Sequence, residues 1–154
     1  MIDPPEIAQT EAVHTAKIHI VTPRSEMKTV MGPAFGELFG ALASQGVSPA
    51  GPPFALHHKI TDEAFDFDLA VPVARPITAV GRVENGERPA VRVARTVLHG
   101  GYEQLPEAWG ALMKWIAAEG LAHAPWLWET YARGPESNPD PSTWRTELNR
   151  PLLP

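Results

Sequence analysis

Two short segments near the C-terminus carry the residues with the most evident chemistry. Residues 126–131 read WLWETY and residues 144–148 read WRTEL, with a proline-rich turn between them. Side chains alternate between the two faces of a strand, so Glu129 and Tyr131 share one face of the first segment, while Glu147 occupies one face of the second. A carboxylate beside aromatic rings can hold a flat, apolar or cationic molecule. The two segments therefore predict part of a binding pocket.

Glu147 is the main candidate for the charged group of this pocket. It either faces a ligand or forms a structural ion pair with Arg145, or with Arg92 or Arg95 of a neighbouring strand. Facing a ligand, it would act either as a general base toward water or as a counter-charge. Glu129 is the second candidate, and its alternative role is a solvated charge at a sheet edge.

Aromatic side chains form the predicted walls of the pocket. Tyr102 and Tyr131 combine an apolar ring with a phenolic donor, which suits either ligand lining or packing at a sheet edge. Trp126 and Trp144 flank the turn and exceed what a simple core requires, so at least one of them is expected to line the pocket. Trp109 lies on a helical apolar stripe and is either core or pocket wall.

The composition excludes several classes of function. The chain has 13 Lys and Arg against 18 Asp and Glu, a formal net charge of −5, which offers no footprint for direct contact with nucleic acid or an anionic membrane. Because it has no cysteine, disulfides and thiolate zinc sites are excluded and a cytoplasmic location is expected. No apolar run approaches the roughly 20 residues that a membrane span needs. The length predicts one domain over residues 1–154.

Hydrophobic periodicity predicts the elements that must position these residues. Apolar residues at helical spacing predict two helices, the first beginning at Pro33 after a loop, TPRSEMKTVMGP, and the second ending at Gly120. Residues 1–11 are expected to be a loose lead-in, and residues 74–89 a linker with a turn at ENGE. The predicted strands cover residues 12–21, 54–60, 65–73 and 90–99, with two more inside residues 126–151.

The two halves of the chain repeat the same pattern. Phe54 and Trp128 are 74 positions apart (128 − 54), and the glycines that end the two helices share this separation. After the longer second turn the separation becomes 79, as for Asp68 and Glu147 (147 − 68). A constant separation that carries helix ends and core aromatics together indicates an internal duplication.

Each half reads strand, helix, strand, strand, over residues of about 12–74 and 90–153. Such a half buries little surface alone, so the two halves are expected to join edge to edge. The prediction is an α+β fold with pseudo-twofold symmetry, in which one curved sheet carries both helices on one face and has a ligand cleft at its centre.

The histidines add one pocket candidate and no metal site. His57 precedes Tyr131 by the same separation of 74, which would direct it toward the same cleft. His57 and His58 face opposite sides of a strand, as do His14 and His19, so neither pair is expected to share a metal. The chain also lacks a nucleophile elbow, a phosphate loop and a dinucleotide fingerprint, so no cofactor is expected.

Several motifs together resemble the GyrI-like, or gyrase-inhibitor-like, effector-binding domain. HGGYEQLPEAWGALMKWIAAEGL, WLWETY and PSTWRTELNRPL resemble its second half, and GPAFGELFGALASQGVSPAGPPFALHH resembles its first half. The resemblance covers nearly the whole chain and implies the duplicated strand-helix-strand-strand fold. It implies a buried acid that meets the ligand at Glu147, and it matches a W-E-x-Y motif at Glu129 and Tyr131. An H-G-x-Y-E loop is matched at Tyr102, whereas the loop before the first helix lacks the Tyr-Glu pair.

The resemblance implies one principal function and two alternatives. The principal function is a stand-alone protein that binds bulky aromatic, often cationic compounds, in drug or toxin sensing or protection. The first alternative is a hydrolase that opens strained cyclopropane rings of alkylating natural products in an aromatic cage, with Glu147 or Glu129 positioning water. In that role the hydroxyl of Tyr102 or Tyr131 would donate a hydrogen bond to the carbonyl of the ligand. The second alternative is a protein-interaction module of the gyrase-inhibitor type. The expected partner is therefore a small hydrophobic or cationic aromatic molecule.

Overall fold

The computed structural model describes residues 1–154, which form eight β-strands and two α-helices. The chain divides into two compact units: the N-terminal unit, Ala12–Pro89, and the C-terminal unit, Met1–Glu11 with Ala90–Pro154. The elements in chain order are β1 (Glu6–Gln9), β2 (Val13–Pro23), α1 (Met27–Ser44), β3 (Phe54–Ile60), β4 (Ala64–Pro72), β5 (Glu84–Arg88), β6 (Arg92–His99), α2 (Leu105–Ala118), β7 (Leu127–Arg133) and β8 (Arg145–Pro151).

The N-terminal unit is an antiparallel sheet in the order β3-β4-β2-β5, with α1 packed on it. The alternation of β2 and β4 buries Ile18, Phe67 and Leu69 completely. Leu38 and Leu42, one turn apart on α1, are equally buried. Burial of each such side chain stabilises the unit by roughly 1.5–3 kcal/mol.

The C-terminal unit is built in the same way. Its antiparallel sheet runs β1-β6-β8-β7. Leu112 and Ile116 of α2 belong to a buried cluster with Leu98 of β6 and Leu148 of β8. Neither α1 nor α2 combines the length and apolar character needed to span a membrane.

The strand registers reproduce the sequence repeat. Phe54 pairs with Ala70 in the N-terminal unit, and Trp128 pairs with Asn149 in the C-terminal unit, which preserves the separations of 74 and 79. The α1 helix has 18 residues and α2 has 14, a difference of about one helical turn. The predicted α+β class and the duplicated strand-helix-strand-strand halves are confirmed.

The start of the first helix was predicted wrongly. The α1 helix begins at Met27, and Pro33 lies inside it rather than in its first turn. Pro33 is exposed, while Val30 and Ala34 continue the apolar stripe on the other side of the helix. Because one buried face extends past the proline, the helix retains its packing despite the lost hydrogen bond at that position.

Two further predictions were wrong, and both concern edge strands. The supposed lead-in contains β1, which pairs with β6, and the supposed linker contains β5, which pairs with β2. The Asn-Gly of ENGE is not a turn, because Asn85 lies in β5 and its side chain donates to the Ile77 carbonyl at 2.7 Å. A Cβ on Gly86 would lie 2.8 Å from Lys17, so glycine is required for close approach to β2.

Candidate functional site

Glu129 of β7 is held by two donors from the C-terminal unit. Trp109 Nε1, on α2, donates to Glu129 Oε1 at 2.7 Å. The Tyr131 hydroxyl, two residues along β7, donates to Glu129 Oε2 at 3.0 Å. Each carboxylate oxygen therefore has one partner, and the contact with Trp109 shows that Glu129 and Tyr131 face the helix layer.

The surroundings of Glu129 are poorly solvated. Burial raises the pKa of Glu129, although the hydrogen bonds from Trp109 and Tyr131 act to lower it. Burial, and then the charge of Glu129, raise the pKa of Tyr131 well above its ordinary value. A desolvated carboxylate interacts with a cation far more strongly than one in bulk water. The arrangement can therefore act as a counter-charge for a cation that enters beside it.

Two more aromatic rings extend this group. The Tyr102 ring lies 5.8 Å from the Tyr131 ring and 5.1 Å from the Trp144 ring, centroid to centroid. We call the set the Glu129 cluster: Tyr102, Trp109, Glu129, Tyr131 and Trp144. All five residues are half-buried, so each retains some contact with solvent. A site that is walled by aromatic rings and still accessible suits an aromatic ligand.

Local structure fixes the positions of Tyr102 and Trp144. Tyr102 begins a single 3-10 turn ahead of α2, and Gly100, with φ of 137°, supplies the backbone conformation that leads into it. A Cβ on Gly134 would lie 2.6 Å from the Tyr102 hydroxyl, so this glycine leaves room for the phenol. Trp144 Nε1 donates to the Asn138 carbonyl at 2.7 Å, which ties the indole to the proline-rich turn.

Burial raises the pKa of Tyr102 to about 12, with further contributions from the negative charges of Glu136 and Glu129. At neutral pH, Tyr102 and Tyr131 therefore remain neutral, and Glu129 is the one carboxyl group of the cluster. Thr146 adds a polar atom beside the cluster. It is fully buried, pairs across the strands with Tyr131, and its hydroxyl has no hydrogen-bond partner.

Glu147 lies apart from this cluster. It pairs with Thr130, between Glu129 and Tyr131, so the pleat places it on the opposite face of the sheet. Its Oε1 accepts from Asn149 at 3.1 Å and lies 3.5 Å from Arg95 Nε. The side chain is 30% exposed, whereas the resemblance implies a buried acid at this position. The contacts match the structural alternative, an ion pair with Arg95, and a ligand-binding role for Glu147 stays a prediction.

The remaining candidates, Trp126 and His57, make other contacts. Trp126, just before β7, stacks on the fully buried Trp128 with ring centroids 5.7 Å apart. His57 belongs to the N-terminal unit, where it contacts Phe65 and Phe67. Burial, and then the charge of His58, lower the pKa of His57 to about 4, so it is neutral at pH 7.

Sequence reasoning named Glu147 before Glu129 and did not name Thr146. Leu148 carried a signal for the face of Glu147, because a fully apolar core residue next to Glu147 places Glu147 on the face away from that core. For β7 it was harder to decide which face is buried. Trp128 lies on one face and Glu129 and Tyr131 on the other, and a large apolar residue such as Trp128 favours burial of its own face. No sequence signal indicated that the Thr146 hydroxyl would be left without a partner.

Comparisons with known proteins identify the fold. The structure is similar to the EcmrR C-terminal domain, with a TM-score of 0.86 and 19% identity over 97% of both chains. The match to EcmrR in its complex with DNA has a TM-score of 0.85 and 18% identity, covering 97% of this chain but only 57% of EcmrR. SAV2435 bound to tetraphenylphosphonium gives a TM-score of 0.71 and 11% identity over 98% of this chain and 94% of that one.

A hydrolase from Listeria innocua gives a TM-score of 0.67 and 11% identity over 97% of this chain and 91% of that one. At these identities the similarities show a shared fold. A comparison with curated protein sequences gave no match. The family profile for the GyrI-like small molecule binding domain matches residues 3–152, nearly the whole chain, and the protein therefore belongs to the GyrI-like small-molecule-binding family.

Proposed function

We propose that the protein binds a bulky aromatic cation at the Glu129 cluster. The observation that carries this proposal is the half-buried Glu129, whose oxygens are held by Trp109 and Tyr131 in surroundings that raise its pKa. As a carboxylate it would be the partner of a cation, and its orientation is fixed by the two donors. A preorganised group of this kind binds with little loss of conformational freedom.

The aromatic rings favour an aromatic cation over a small inorganic one. The Tyr131 and Trp144 rings each lie within 6 Å of the Tyr102 ring, centroid to centroid. Such rings attract a positive charge through their quadrupoles and bury apolar area at the same time. A delocalised organic cation gains from both effects and loses little hydration. The tetraphenylphosphonium bound to SAV2435, which shares the fold, is a ligand of this class.

The two glutamates provide a matched experiment. Tetraphenylphosphonium is titrated into the wild-type protein, Glu129→Gln and Glu147→Gln, and binding is followed by tryptophan fluorescence and calorimetry. Each variant removes one negative charge from a neighbouring strand, but only Glu129 belongs to the cluster. Loss of a desolvated charged partner should weaken binding by about tenfold or more in Glu129→Gln, equivalent to about 1.4 kcal/mol. Glu147→Gln should bind within about twofold of wild type, since Glu147 lies on the opposite face of the sheet and already has Arg95 as a partner at 3.5 Å.

Equal losses in the two variants would show that net charge, rather than the cluster, attracts the cation. A loss confined to Glu147→Gln would move the site to the opposite face of the sheet. Circular dichroism of both variants checks that the fold is intact.

A second candidate function is hydrolysis of a strained ring. The hydrogen bond between Tyr131 and Glu129, together with the raised pKa of Glu129, places an acid-base group in the site. Glu129 as a carboxylate would take a proton from water as the water attacks the ring carbon, and the opened ring would receive a proton in return. Incubation with a cyclopropane-bearing alkylator should then give the water adduct faster than buffer alone, and Glu129→Gln should remove the acceleration. A rate equal to that in buffer refutes hydrolysis without affecting the binding proposal.

A further inference from the structure

Three metal-ligating side chains converge on the sheet of the N-terminal unit. Asp68 lies on β4, between His19 on β2 and His58 on β3. His19 Nδ1 lies 2.9 Å from Asp68 Oδ1, and His58 Nε2 lies 2.8 Å from Asp68 Oδ2. One ligand atom from each of the three residues falls within 4.8 Å of the others.

Strand register and a bulge produce this convergence. His19 and Asp68 are directly paired across β2 and β4. The register of β3 and β4 shifts between His57 and Lys59, so His58 is the extra residue of a β-bulge. His58 consequently reaches Asp68, while His57 packs on Phe67. The expectation of no metal site compared histidines within single strands, and these ligands come from three.

A second carboxylate lies near His19. His19 Nε2 lies 3.1 Å from Asp66 Oδ1, but this contact is not a hydrogen bond, because Asp66 Oδ1 has no hydrogen-bond partner. His19 is therefore held at Asp68 through Nδ1 alone.

We propose that His19, His58 and Asp68 bind a divalent first-row metal ion such as Zn²⁺. Two imidazoles and one carboxylate match the ligand set of three-ligand zinc sites, which keep a position open for water or another ligand. The histidine side chains are 48% and 46% exposed, so the open position faces solvent. With metal–ligand bonds of about 2.1 Å, tetrahedral ligand atoms lie about 3.4 Å apart, and the exposed imidazoles can separate by that amount.

Replacing Lys17 would distinguish a metal site from a simple hydrogen-bonded ion cluster. Its Nζ lies 3.4 Å from Asp68 Oδ2 and 3.9 Å from Glu84 Oε1. In an ion cluster Lys17 supports the carboxylate, whereas at a metal site it competes with the ion for the same oxygen. Removing the charge of Lys17 should therefore strengthen metal binding. In the wild type, Lys17 can pair with Glu84 when a metal ion occupies the Asp68 oxygen.

The experiment titrates the metal-free full chain with Zn²⁺ against a chromophoric chelator at neutral pH. The wild type should bind one ion per chain. His19→Ala and His58→Ala should each weaken binding by more than about tenfold, because even the outer partners of metal ligands contribute roughly 10–100-fold. Lys17→Met should bind more tightly than wild type.

His14→Ala is the matched control, since His14 is exposed on β2, the strand that also carries His19, and should leave affinity unchanged. Co²⁺ in place of Zn²⁺ should give a visible absorption spectrum that His58→Ala changes. Circular dichroism tests folding, and the exposed His19 and His58 can be replaced without opening the core. Absence of stoichiometric binding, equal affinity in His14→Ala and His58→Ala, or weaker binding in Lys17→Met would overturn the proposal.

Discussion

The two units share one arrangement of strands and helix but carry different functional groups on it. At the repeat separation of 74, Trp109, Glu129 and Tyr131 correspond to Phe35, Ala55 and His57. Phe35 stacks on Phe39, and Ala55 is fully buried. The N-terminal unit therefore has an apolar helix layer where the C-terminal unit carries the Glu129 cluster.

On the sheet face away from the helices, the two units are alike, because each carries an acid at the same repeat position. Asp68 and Glu147 correspond at the separation of 79. Asp68 contacts Lys17 of the neighbouring strand β2, and Glu147 contacts Arg95 of the neighbouring strand β6. Because the acid at this position occurs in both units, it is part of the shared frame. Glu129 has no counterpart, and this difference makes it the stronger candidate for a function specific to the C-terminal unit.

The largest expected effect on the free energy of unfolding comes from the buried leucines that the two helices have in common. Leu38 and Leu112 correspond at the separation of 74, and both are completely buried. Leu38→Ala and Leu112→Ala should each lower the free energy of unfolding by about 3 kcal/mol, since each leaves a cavity beneath a helix. Urea denaturation measures both changes. Costs that differ by more than about 2 kcal/mol would show that the two helices are packed unequally despite their common frame.

Sequence periodicity was sufficient for the existence of both helices, the central strands and their duplication, because burial on one face leaves a regular pattern, but it placed the start of α1 at Pro33 instead of Met27. It missed β1 and β5, since edge strands such as β1, which pairs with β6, are held mainly by backbone hydrogen bonds. The sequence also left open that Glu147 and Glu129 lie on opposite faces. Alternation predicts the faces within β7 and within β8, but which faces coincide depends on how the strands pair, and a shift of one residue reverses the result.

Trp109→Phe should convert one part of the Glu129 cluster into its N-terminal counterpart, Phe35. The ring is largely retained, but the donor to Glu129 Oε1 is lost. An unpartnered oxygen in a desolvated site should cost about 2 kcal/mol of stability and raise the pKa of Glu129 further. Chemical denaturation measures the first effect. A change below about 0.5 kcal/mol would indicate that solvent replaces the indole freely; Phe35→Trp is the control that adds an indole where no carboxylate corresponds.

The raised pKa of Glu129 predicts how cation binding depends on pH. Tetraphenylphosphonium is a permanent cation, so only the protein titrates, and protonation of Glu129 removes its charge. Affinity should be full above the folded-state pKa of Glu129 and should fall as the pH drops through it, with a midpoint above the ordinary value of 4.5. Titrations across pH measure the midpoint. Glu129→Gln should show no such transition, and an identical transition in the variant would assign it to another group.

The smallest expected effect concerns the Thr146 hydroxyl, which is fully buried without a partner. Thr146→Val replaces it with a methyl group of similar shape and removes an unsatisfied donor. The free energy of unfolding should therefore stay constant or rise by up to about 1 kcal/mol. If the hydroxyl is kept for a ligand, binding of a polar aromatic ligand should weaken while that of tetraphenylphosphonium, which offers no hydrogen-bonding atom, should not. A loss of stability would instead show that a buried water satisfies Thr146, and the contrast between ligands separates these two explanations for its buried hydroxyl.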